Sequence, residues 1–178
     1  MNLGDLLKPL DSILKRCQTR YAVIGGYAVA AWGEERATRD IDLLCAAGNS
    51  EEILQELKKE ALHVEHRSGD PDDPISEVMR VEIGSGENAA EIDLLIGIRD
   101  APPGIFDRVR MVRIEGITIP VASPEDVVIL KLLGGSARDL EDAKSIVEIQ
   151  GIRLKHDLMR QLCPAQIHGD LEALLRTR

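Results

Sequence analysis

Tyr21-Ala22-Val23-Ile24-Gly25-Gly26-Tyr27-Ala28-Val29-Ala30-Ala31-Trp32, with Asp40-Ile41-Asp42-Leu43-Leu44 close behind, is the stretch on which the reading of this chain turns. Tyr21 to Ile24 is a short β-prone run, Gly25-Gly26 ends it, and the alanine-rich segment Tyr27 to Trp32 is helix-compatible. A glycine pair at a strand-to-helix turn leaves backbone amides bare at a helix N-terminus, where phosphate oxygens can be received; the same pair also suits any tight turn. Asp40 to Leu44 alternates acid and apolar residues and reads as a second strand. On a strand, residues two apart leave the same face, so the Asp40 and Asp42 carboxylates are expected side by side, with Ile41 and Leu43 anchoring the other face. Two like charges so placed repel, and a divalent cation compensates them; an exposed edge strand whose acids only face water is the alternative.

Outward from this centre, Leu3 to Arg16 carries Leu3, Leu6, Leu7, Leu10, Ile13 and Leu14 on one helical face, and Ser50 to Leu62 reads as a helix with Ser50 as N-cap. Turn formers gather between Arg67 and Pro74, predicting an exposed loop. Val78 to Ile83 and Ala90 to Ile96 are expected to pair antiparallel across Gly84-Ser85-Gly86-Glu87-Asn88, and Met111 to Ile114 with Ile117 to Val121 to form a second hairpin around Glu115-Gly116. Ser123-Pro124-Glu125-Asp126 combines an N-cap, a proline at the first helical position and acids in the first turn. The helix it opens is expected to break at Gly134-Gly135, with another from about Arg138 to Gln150 closing at Gly151, and shorter pieces over Leu154 to Leu162 and Leu171 to Leu175. The pattern predicts an α+β fold, a mixed β-sheet flanked by helices with a helical C-terminal third. Residues 1–122 are expected to form the α/β core and 123–178 a helical segment packed on it, in one compact domain.

Composition bounds the function. The 178 residues suffice for one ordinary core, which must be aliphatic because aromatic residues are only 2%. A net charge of −9 argues against an extended nucleic-acid surface, since such surfaces are positive. Cys17, Cys45 and Cys163 are scattered and odd in number, suggesting buried free thiols rather than disulfides or zinc. No apolar run reaches the roughly 18 residues of a membrane span. The start Met1-Asn2-Leu3-Gly4-Asp5 lacks the features of a secretory signal, so the expected location is the cytoplasm.

Val23-Ile24-Gly25-Gly26, then 13 residues, then Asp40-Ile41-Asp42-Leu43, resembles the signature of the polymerase-β-like nucleotidyltransferase superfamily, and Ala90-Glu91-Ile92-Asp93-Leu94-Leu95 resembles the second acidic strand that follows it. Arg36-Ala37-Thr38-Arg39-Asp40-Ile41-Asp42, Ser123-Pro124-Glu125-Asp126, Leu130-Lys131-Leu132 and Arg138-Asp139-Leu140-Glu141-Asp142 are similar to the small bacterial branch that includes AbiEii-type toxins. The resemblance covers about Tyr21 to Gln150. It implies a Mg²⁺- or Mn²⁺-dependent enzyme moving a nucleoside monophosphate from a nucleoside triphosphate to a hydroxyl on a protein, a tRNA end or a small molecule. It further implies Asp40, Asp42 and Asp93 as catalytic metal ligands, and Gly25, Gly26, Arg36, Arg39 and Lys131 as nucleotide contacts.

Each role has a plainer counterpart. Asp93 could simply pair with an arginine, Arg36 and Arg39 with nearby acids, and Lys131 could extend to solvent; Asp139 and Asp142 could orient Lys131, although acids near a helix start also suit the macrodipole. The four histidines show no ligand spacing. A catalytically silent nucleotide-binding member of a toxin-antitoxin-like pair is the second functional reading, with a homodimer or a partner protein as the expected assembly.

Overall fold

The computed structural model describes residues 3–34, 38, 40–60, 62–84, 90–114 and 116–176. Its centre is a mixed sheet, seven strands among the described residues, with the order β3-β4-β5-β2-β1-β7-β6. These strands are β1 (Tyr21–Ile24), β2 (Ile41–Cys45), β3 (His63–Ser68), β4 (Ile75–Ile83), β5 (Ala90–Ile98), β6 (Arg110–Ile114) and β7 (Ile117–Val121). β2 runs parallel to β5, and β1 parallel to β7, while the remaining neighbours are antiparallel.

Strand periodicity sorts the faces. Ile41, Leu43 and Cys45 of β2, Ile92, Leu94 and Ile96 of β5, and Met79, Val81 and Ile83 of β4 are all buried. They share one aliphatic core with α1 (Leu3–Arg16), through Leu6, Leu7, Leu10, Ile13 and Leu14, and with α3 (Ser50–Lys59), through Ile53 and Leu57. Burial of all these side chains is the main favourable term in stability. It also pushes the Cys45 thiol up to about 12, and the three cysteines are free thiols. Among the described residues no helix is long and apolar enough to cross a membrane.

Beyond β1 the chain enters α2 (Gly25–Trp32), which packs on β2 and against α4 (Pro124–Gly134) and α5 (Ala137–Gln150). The Trp32 indole N–H donates to the Ala122 carbonyl at 2.8 Å, tying the end of α2 to the residue after β7. α4 begins as its sequence demands: the Asp126 amide donates to the Ser123 hydroxyl, and Pro124 occupies the first turn. It ends at Gly135, whose φ of 67° is left-handed and suits glycine. Ser136 and Asp139 then form a capping box that starts α5. α6 (His156–Leu162) and α7 (His168–Arg176) complete the helical C-terminal region, both packing on α4.

The α+β class and the helical C-terminal third are as expected, and several boundaries are corrected. The helix after β1 starts at Gly25 itself, because a glycine with φ +59° can open a helix directly from Ile24 without a separate turn. β2 begins at Ile41, leaving Asp40 just outside the ladder. α3 ends at Lys59 rather than Leu62, and Asn49, not Ser50, holds its N-cap position while its side-chain amide donates to the Cys17 carbonyl at 2.7 Å. The strand β3 overlaps the expected loop. Its residues, His63-Val64-Glu65-His66-Arg67-Ser68, are mostly exposed on a sheet edge, so no apolar alternation marks it. β4 and β5 are each longer than expected, while the turn between them, residues 85–89, and Glu115 of the second hairpin lie outside the described residues.

Candidate active site

One lateral row of residues crosses five strands. Ile24 of β1 is the Cα partner of Asp42 in β2, Asp42 of Asp93 in β5, Asp93 of Arg80 in β4, and Arg80 of Glu65 in β3. Register partners on neighbouring strands lie about 5 Å apart and share a face, so Asp42 and Asp93 stand side by side. Asp40, exposed at the foot of β2, adds its charge to the pair. Burial, then the Asp93 and Asp40 charges, push the Asp42 carboxyl above its usual pKa, and Lys131 and Arg80 only partly offset this. Of the three aspartates named from the sequence, Asp42 and Asp93 are thus neighbours across the ladder, with Asp40 near enough for its charge to act on Asp42.

The two glycines make room for neighbours. A Cβ on Gly25 would overlap Asp42 Oδ2, and one on Gly26 would come within 2.5 Å of Thr38 Oγ1. Their bareness therefore seats side chains of the site; Gly25 also lines the cavity described next, at the N-terminal end of α2. Gly25→Ala is expected to cost about 1–3 kcal/mol from the strained φ alone. It should also turn Asp42 aside, which a melting curve and a triphosphate titration on one sample would register together.

A cavity of about 600 Å³ opens over this face. Gly25, Asp42, Lys131 and Asp139 line it together with Ile24, Leu95, Leu130 and Leu133, and it continues past Ile98 and Ile167 to Asp72, Arg99, Asp100 and Gln166. Charged and aliphatic side chains thus share its lining, a combination that suits a ligand with an anionic and a flat apolar part.

Lys131 is 14% exposed and is gripped by Asp139 at 2.8 Å and Asp142 at 2.9 Å. Burial by itself would lower its pKa; the two carboxylates reverse that and leave it raised. Asp139, whose role at the helix start was one of two expected readings, serves both purposes, capping α5 and holding the lysine. Arg36 and Arg39 lie outside the described residues.

Arg80 escaped the sequence reading. Its Nε donates to Asp93 Oδ1 at 2.9 Å and its Nη2 to Oδ2 at 3.0 Å, a bidentate grip on the third carboxylate. A signal existed: pairing the hairpin outward from Ile83 and Ala90 sets Arg80 opposite Asp93. The cavity residues Asp72, Arg99, Asp100 and Gln166 had no such signal, since loops and a distant helix start bring them together.

The donor set is all carboxylate, the chemistry that Mg²⁺ and Mn²⁺ prefer. Asp42 is half-buried beside two like charges and accepts no hydrogen bond among the described residues, so it fits a cation ligand. As the side chains stand, no three carboxylate, imidazole or thiol groups among the described residues converge closely enough to hold a metal. The grip of Arg80 on Asp93 is the physical reason we see for that shortfall.

Residues 13–165 match the family model described as nucleotidyl transferase AbiEii toxin, type IV TA system. No curated protein matches the chain. Among solved structures, ANT(2″)-Ia in complex with adenylyl-2″-tobramycin is 17% identical, with 98% of this chain and 97% of that one covered at a TM-score of 0.56. An antigenic nucleotidyltransferase-like protein from Paracoccidioides brasiliensis is 18% identical, covering 99% and 93% at 0.55. Lincomycin-bound lincosamide antibiotic adenylyltransferase LnuA is 20% identical, covering 82% and 98% at 0.50. At these identities the likeness is one of fold.

Proposed function

The chain belongs to the AbiEii family of nucleotidyltransferase toxins, and on that premise we propose that it transfers a nucleoside monophosphate from a nucleoside triphosphate to a hydroxyl acceptor, using Asp40, Asp42 and Asp93. The observation that carries this reading is the register of Asp42 with Asp93 beside bare Gly25, in a cavity that also holds Lys131.

The acceptor oxygen attacks the α-phosphorus, the bond to the bridging oxygen breaks, and pyrophosphate leaves with the negative charge. Mg²⁺ or Mn²⁺ held by the three aspartates would neutralise charge on the phosphate oxygens and favour the acceptor alkoxide. Asp93 would accept the hydroxyl proton once Arg80 frees an oxygen. The backbone amides at Gly25 and Gly26 receive a phosphate oxygen at the start of α2, and Lys131 donates to another with the hydrogen its two aspartates leave spare. Arg36 and Arg39 are the further triphosphate contacts that the family resemblance implies. The aliphatic stretch of the cavity, Leu95, Leu130 and Leu133, covers the base or an apolar part of the acceptor. The acceptor is a small molecule, a protein side chain or a tRNA end. A cytoplasmic setting suits all three, and the toxin family supports a partner antitoxin.

Each α-labelled triphosphate, incubated with the protein and Mg²⁺ in a cell lysate, should pass label to one of the protein, RNA or small-molecule fractions with stoichiometric pyrophosphate. Failure of a non-hydrolysable triphosphate with Mg²⁺ to bind at millimolar concentration would refute the reading. Lys131→Met should weaken triphosphate binding about 10- to 100-fold, the scale of a charged hydrogen bond in a partly buried site. Because this change takes the ammonium from Asp139 and Asp142, calorimetry is read on samples whose folding is verified by circular dichroism. A silent, nucleotide-binding role has one observation in its favour, the engagement of Asp93 by Arg80; binding without pyrophosphate release across all acceptors would select it.

A further inference from the structure

Asp93 sits between two competing claims. On one side is Asp42, its register partner, whose charge it raises in cost; on the other is Arg80, which holds both of its oxygens. A carboxylate with both oxygens in a guanidinium fork has one lone pair of each oxygen engaged and its charge already partly neutralised, so it is a poorer ligand for a cation between itself and Asp42. Asp93 serves fully only when Arg80 lets go.

The surroundings of Arg80 favour release. Its side chain is 47% exposed, so the pair is screened by water and a cation can exchange for it at modest cost. Glu91 Oε2 already stands 3.9 Å from Arg80 Nε, two residues before Asp93 on the same face of β5. Glu65, the register partner of Arg80 in β3, flanks it from the other side. The guanidinium therefore has two further carboxylates within a short swing, Glu65 on the outer strand β3 and Glu91 beside Asp93 on β5. A permanent structural pair needs neither of these, whereas an exchangeable one needs somewhere for the arginine to go.

We propose that Arg80 is a positioning residue, a displaceable counter-ion that holds Asp93 until a divalent cation takes the carboxylate and Glu91 and Glu65 receive the guanidinium. The proposal rests on the reading of Asp40, Asp42 and Asp93 as the metal-holding set. Its consequence is that the third ligand joins only on loading, so the protein keeps its acidic row compensated in either state.

Mn²⁺ alone is the probe, with free ion counted by electron paramagnetic resonance and heats by calorimetry on the full chain. Arg80→Lys retains the positive charge and loses the fork. Release of Asp93 predicts that this variant binds Mn²⁺ about fivefold more tightly than the unaltered protein, a factor of the size such accessible pairs contribute. A simple field effect predicts no change, because the charge stays, and equal or weaker binding overturns the proposal. In the Asp93→Asn background Arg80→Lys should do nothing; the same tightening there would show that the effect does not pass through Asp93, and overturns it too. Glu91→Gln with Glu65→Gln should weaken Mn²⁺ binding when Arg80 is present and less when Arg80 is Gln; equal weakening in both also counts against it. Arg80, Glu91 and Glu65 are exposed, and Asp93→Asn, at a position only 19% exposed, is read on samples whose folding is verified by circular dichroism. Failure of the unaltered protein to bind Mn²⁺ more tightly than Asp42→Asn removes the metal reading itself, an outcome separate from normal binding with no response at Arg80.

Discussion

Asp42→Asn is expected to abolish nucleotidyl transfer, by roughly 10³-fold or more, while making the metal-free protein more stable. The loss is of the order seen when one preorganised electrostatic group is taken from a transition state. The gain comes from the cost of the native charge. Burial and the Asp93 and Asp40 charges hold the Asp42 carboxyl above its ordinary pKa, so the fold favours the neutral form and ionisation works against it. An acid shifted in this direction loses stability as pH rises from its unfolded value through its folded one. Below the ordinary carboxylate range both proteins carry a neutral side chain and should melt alike. Above it the asparagine variant should melt higher, with a gap that opens as pH rises through the carboxylate range. Melting curves from pH 3 to pH 8 in chelator read the gap directly. A gap that closed toward neutral pH would contradict the charge argument, and full transfer activity in the variant would remove Asp42 from the chemistry.

Arg108→Ala should be the most destabilising single change outside the core, by about 3–5 kcal/mol, because it strands a buried charge. Asp126 is fully buried at the start of α4. Arg108 holds it through Nη2 to Oδ1 at 2.6 Å and through Nε to both oxygens, and also donates from Nη1 to the Pro103 carbonyl. The Ser123 hydroxyl donates to Asp126 Oδ2 at 2.6 Å. With the guanidinium gone, the Ser123 hydroxyl is the one donor left among the described residues to satisfy an anion that water cannot reach. The expected fall in melting temperature is roughly 6–20 °C. Replacing Asp126 by Leu in the same protein should recover much of the loss, since apolar pairs often replace buried ion pairs without penalty. Urea unfolding of the two variants gives both numbers; a cost below about 1 kcal/mol for Arg108→Ala would mean that solvent reaches Asp126.

Asp42 and Lys131, which line the cavity, were legible in the sequence as candidates, and Arg80 was not, for a reason that also separates α4 from β3. Ser123-Pro124 and Gly134-Gly135 carry their own start and stop signals, because capping and left-handed backbone are properties of a few adjacent residues. The edge strand β3 has no such local mark; it exists because β4 offers it a ladder. In the same way Asp139 could be read as a helix-start acid or as a partner of Lys131, and the packing of α5 on α4 makes it both.

Backbone preference and side-chain periodicity act over four or five residues, and they sufficed to place the glycine pair at a strand end, both core acids on one face of their strands and the helical C-terminal third. Which partner each charged group meets depends on strand order and register, which depend in turn on burying the whole aliphatic core at once. That long-range packing set Asp93 between Asp42 and Arg80, and closed a cavity from residues as far apart as Gly25 and Ile167.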